Sequence, residues 1–131
     1  MVGAISITDF PLESRCRYFG AKEECKFCDI NHNWRQHKQA GRPYTGVKPV
    51  EEVLEALEII DRYDTAGASH AYTLTGGSIT STVDGLREAE FYGRYAQAIE
   101  ARFPGRWIGK VVAQALPKEE ARIFREFGIR I

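Results

Sequence analysis

Short β-branched or apolar runs alternate with stretches of helical periodicity along this chain, and that alternation constrains its fold more than any other feature. Ala4–Thr8 reads as a strand. Val50, Val53, Leu54, Leu57 and Ile60 recur at helical spacing, so about 49–63 is an amphipathic helix. Pro49 suits its first turn, and Glu51 and Glu52 suit its positive end. Ala71–Leu74 reads as a buried strand ended by Gly76-Gly77-Ser78. Asp84 is the expected N-cap of a second helix, with Leu86, Ala89, Tyr92, Ala96 and Ile99 as its apolar face and Pro104-Gly105 as its stop. Trp107–Ala115 reads as a third strand. Pro117 then opens a third helix, with Ala121, Phe124 and Phe127 inward and Gly128 ending it. Ile129–Ile131 reads as the start of a fourth strand. Asn31–Lys48 is polar and reads as loop with at most a helical turn.

Strand and helix in strict alternation imply a parallel sheet with right-handed crossovers. The expected fold is α/β, a partial parallel (β/α) barrel of about three βα units plus the start of a fourth strand. A full barrel usually needs more than about 200 residues, and this chain has 131. The expectation is therefore that residues 1–131 are the N-terminal portion of a larger barrel domain. The alternative is a small open α/β domain with a three- or four-stranded sheet.

Eighteen basic and 18 acidic residues give no net charge, so no global field points to nucleic acid or a membrane surface. The N-terminus lacks the basic region of a signal peptide, and no apolar run is long enough to span a bilayer. A reducing, cytoplasmic setting is expected. The three cysteines are an odd number and fall in one short segment, which argues against a disulfide framework and for metal or redox chemistry.

That segment reads Cys16-Arg-Tyr-Phe-Gly-Ala-Lys-Glu-Glu-Cys25-Lys-Phe-Cys28, a C-x8-C-x2-C spacing. Two cysteines separated by two residues can chelate one centre from a tight turn, and the third reaches it from a longer loop. Iron–sulfur cubanes normally take four thiolates, so three leave one iron open to exogenous chemistry. A zinc site is the rival: His32 follows Cys28 closely, and Cys16, Cys25, Cys28 and His32 would make a closed four-ligand structural site. Inert buried cysteine is a third reading, disfavoured by the clustering. Location favours the open cluster. The cysteine loop follows the first strand and Gly76-Gly77 follows the second, so both leave the sheet at its carboxyl edge, where α/β folds bind ligands.

These residues resemble the radical S-adenosylmethionine (SAM) superfamily, whose common signature is C-x3-C-x-aromatic-C with variants in the first gap. Phe27 takes the aromatic position, and the eight-residue first gap departs from the commonest pattern. The motif covers about 20 residues, the topology nearly the whole chain. The resemblance implies a 4Fe-4S cluster held by Cys16, Cys25 and Cys28, with SAM on the open iron. It implies reductive cleavage of SAM to a 5′-deoxyadenosyl radical, and an electron donor such as flavodoxin or ferredoxin. Gly76, Gly77 and Ser78 match the position of the family's Gly-Gly-Glu motif, which binds the methionyl amino group, and Phe27 would place its backbone near the adenine. Ser78 stands where the family has Glu; its hydroxyl accepts a hydrogen bond but brings no charge for an ammonium.

Other residues carry weaker signals. Tyr18 and Phe19 are placed to shield a cluster from water. Arg35, Lys38, Arg42 and Lys48, with Trp34, His32 and His37, form a basic stretch read chiefly as a solvated loop, and less readily as a cap recruiting an anionic substrate. His70 precedes the second strand and gives no functional signal.

Overall fold

The computed structural model describes residues 3–6, 18, 25–42, 47–76 and 82–130. The elements are β1 (Gly3–Ser6), α1 (Asp29–Gln39), α2 (Val50–Tyr63), β2 (Ala71–Thr75), α3 (Glu88–Arg102), β3 (Ile108–Val112) and α4 (Lys118–Glu126). β1 and β3 both pair in parallel with β2, giving the order β1-β2-β3. Consecutive parallel neighbours joined by right-handed crossovers place the connecting helices on one face. The core shows this directly. Val53, Leu54 and Leu57 of α2, Phe91, Tyr92, Tyr95 and Ile99 of α3, and Phe124 of α4 share one cluster with Tyr72, Leu74 and Val111 of the sheet. Each such large apolar side chain, once buried, contributes about 1.5–3 kcal/mol of transfer free energy.

The barrel expectation is corrected. A barrel is a sheet closed on itself, and among the described residues three strands form a small open sheet, with four helices rather than three. The expected fourth strand amounts to one parallel bridge, Lys110 to Arg130. The fold is a small α/β domain.

Two further expectations change. Asp84 does not cap α3. It adopts a left-handed φ of 53° in a turn closed by Val83 and Leu86, each of which donates to the other's carbonyl at 2.9 Å. Arg87 is the N-cap, and its backbone N–H donates to Glu90 Oε2 at 3.1 Å. This is the Glu half of a capping box.

The second change is α1, which occupies a stretch expected as loop. Its C-terminus forms a Schellman motif: Arg42 N–H donates to the His37 carbonyl (3.0 Å) and Gly41 N–H to that of Lys38 (3.2 Å), with Gly41 at φ 61°. Of its side chains that are described, only His37 is even half-buried. α4 ends the same way. Ile129 N–H donates to the Phe124 carbonyl and Gly128 N–H to that of Arg125, both at 2.9 Å. The motif turns the chain back, so that Ile129 enters the core and Arg130 reaches the free side of β3.

Candidate metal centre

Cys25-Lys26-Phe27-Cys28 is a tight turn closed by Cys28 N–H donating to the Cys25 carbonyl at 3.1 Å. Cys28 is also the N-cap of α1, with extended backbone angles (φ −91°, ψ 110°). The turn therefore ends as the helix begins, and the backbones of the two cysteines are held close. Both are free and half-buried. The positive end of a helix dipole favours an anionic group at this position. Two thiolates on one such turn fit two positions of an iron–sulfur cluster. Cys16, the third expected ligand, lies outside the described residues, as do Gly77, Ser78 and Phe19.

Phe27 stands at the corner of the turn and is 88% exposed. Its side chain does not pack beneath the loop. His32, the fourth ligand of a closed zinc site, is exposed on α1 one helical turn beyond Cys28. Among the described residues no group of three His, Cys, Asp or Glu side chains gathers closely enough to hold a metal ion. Cys25, Cys28 and His32 are all described, so the zinc arrangement would need them to move together.

Register places the rim. Ser6 pairs with Thr75, so the chain leaves β1 beside the point where β2 runs into Gly76. Neighbouring strands are about 4.8 Å apart. The same edge carries a residue that sequence reasoning passed over. Glu88, the first residue of α3, is 4% exposed and accepts a hydrogen bond from Gln114 Nε2 at 3.3 Å. Gln114 follows β3, so this buried carboxylate lies at the carboxyl edge of the sheet. In the sequence, a Glu in a first helical turn reads only as a complement to the dipole. Nothing in its spacing announces burial.

Among the described residues no helix is long and apolar enough to cross a membrane. Comparison with protein-family models, with curated proteins and with solved structures returns no match.

Proposed function

We propose that this chain binds a 4Fe-4S cluster through Cys16, Cys25 and Cys28 and takes part in radical SAM chemistry. The observation that carries the reading is the Cys25–Cys28 turn, which presents two free thiols at the start of α1. When bound, the cluster and SAM together supply a 5′-deoxyadenosyl radical that abstracts hydrogen from a substrate. The chain's own residues bind and orient. Cys25 and Cys28 fix one side of the cluster, and Cys16 closes the ligand set. Gly76 lets the backbone approach a ligand at the end of β2, and Gly77 and Ser78 continue that segment. Glu88 places a buried carboxyl group at the same edge, where Ser78 brings none. An open parallel sheet offers a carboxyl edge for ligands without barrel closure. The setting is a reducing cytoplasm, where thiols stay unpaired, with a one-electron donor such as flavodoxin or ferredoxin.

The test is anaerobic reconstitution with iron and sulfide, followed by reduction and electron paramagnetic resonance with and without SAM. The expected result is a cluster signal that SAM perturbs and that is lost in Cys25→Ala and Cys28→Ala. Stoichiometric zinc without a cluster, released by His32→Ala, would replace this reading with a structural zinc domain.

A further inference from the structure

The sheet has a second face that none of α2, α3 and α4 covers. Side chains alternate along a strand, so Tyr72, Leu74 and Val111 point to the helices while Thr73, Thr75, Lys110 and Val112 point away. Of the described apolar residues on this second face, Ala71 is buried at 2%, Ile108 is half-buried and Val112 is 61% exposed, and none of the three belongs to the core cluster.

One level of this face carries a row of donors. Thr73 pairs with Lys110 in register, and Lys110 bridges in parallel to Arg130. The bridge is secured by Val111 N–H donating to the Arg130 carbonyl and Arg130 N–H to that of Gly109, both at 2.9 Å. Bridge partners share a face, so a hydroxyl, an ammonium and a guanidinium stand side by side on adjacent chains about 4.8 Å apart. Like charges directly opposite on neighbouring strands are destabilising. Here no carboxylate among the described residues offsets them: the ion pairs engage Arg87, Arg94, Arg102 and Arg106, and neither Lys110 nor Arg130. Beside Arg130, an open depression of about 440 Å³ is lined by Arg125, Gly128, Ile129 and Arg130.

We propose that Thr73, Lys110 and Arg130 form an oxyanion-binding site on the face of the sheet opposite α2, α3 and α4, taking the phosphate or carboxylate group of a small molecule. Charge complementarity selects the ligand class. Among the described residues the paired cations have no counter-charge, and a bidentate oxyanion can bridge ammonium and guanidinium while accepting from the threonine hydroxyl. The site is independent of the cysteine turn and does not require a cluster.

The experiment titrates the full chain with inorganic phosphate and, separately, with acetate, at ionic strength held constant with chloride. Backbone amide shifts are followed by NMR. Saturable shifts centred on Thr73, Lys110 and Arg130 are expected with one of the two anions, and which one identifies the group. Lys110→Gln and Arg130→Gln should each weaken binding by about tenfold, and Lys110→Arg should retain it. Shifts that rise without saturating for both anions, or an affinity unchanged in both glutamine variants, would overturn the proposal. The titration of the unmodified chain decides by itself if a variant fails to fold.

Discussion

A methyl group on Gly109 would stand 2.5 Å from the Tyr72 hydroxyl oxygen and 2.8 Å from the ring carbon that bears it. The glycine is there because β3 passes beside a buried tyrosine of β2, and only hydrogen fits between them. Gly109→Ala should cost about 1–3 kcal/mol, read as a lower urea midpoint. Adding Tyr72→Phe should recover only part, since the ring carbon stays in place. The same burial, with the Glu100 charge a lesser cause, pushes the Tyr72 phenol from 10.0 up to about 12. In the unfolded chain the group ionises near its ordinary value, so the folded state binds the proton more tightly. Its contribution to stability is complete below pH 10 and is lost as pH rises toward 12. Denaturation midpoints measured across that window should fall, at up to about 1.4 kcal/mol per pH unit. Tyr72→Phe should blunt the fall.

Helices meet where glycine lets them. A Cβ on Gly93 of α3 would lie 2.3 Å from the ring of Phe127, which caps α4. Alanine gains about 1 kcal/mol of helix propensity over glycine. Displacing a half-buried ring costs about 1–3 kcal/mol, so the clash should win. Gly93→Ala should lower the thermal midpoint, and Phe127→Leu should restore part of it. Exposed ion pairs such as Arg102–Glu58 (3.1 Å) and Arg94–Asp84 (3.5 Å) contribute far less, about 0–1 kcal/mol each. At this scale much was legible. Pro49 and Pro117 marked the starts of α2 and α4, Gly128 marked the end of α4, and the apolar spacing of α2 and α3 marked their inner faces. Helix α1 was hidden because its residues are polar and its N-cap is a cysteine, which makes no side-chain capping bond. The usable signals were Gly41 as a stop and Ile30, Trp34 and His37 at helical spacing. Asp84 misled because an aspartate suits a left-handed turn as readily as an N-cap.

Apart from α1, the order of strands and helices among the described residues followed from local pattern, whereas closure did not. Whether a parallel sheet closes depends on strand number, tilt and shear taken together, and no local window records them. The candidate site divides in the same way. The Cys25–Cys28 turn is a local structure that spacing reveals, while Glu88 is buried by residues distant in sequence, Gln114 among them. Stability should be uneven across the molecule. β2 is the central strand and α3 packs against both α2 and α4. Native-state hydrogen exchange should therefore find the slowest amides in β2 and α3, and should find α1 exchanging faster by an order of magnitude or more.

The slight packing of the described side chains of α1 separates two events that small metalloproteins commonly fuse. In many of them the ion is the core, and stripping it unfolds the chain. Here the apolar cluster assembles from α2, α3, α4 and the sheet, with the cysteine turn outside it. The apoprotein would then be a folded scaffold carrying an adaptable receptor segment. Under the proposed function, cofactor delivery would be a late maturation step on a finished domain, and cluster loss under oxidation would be reversible damage.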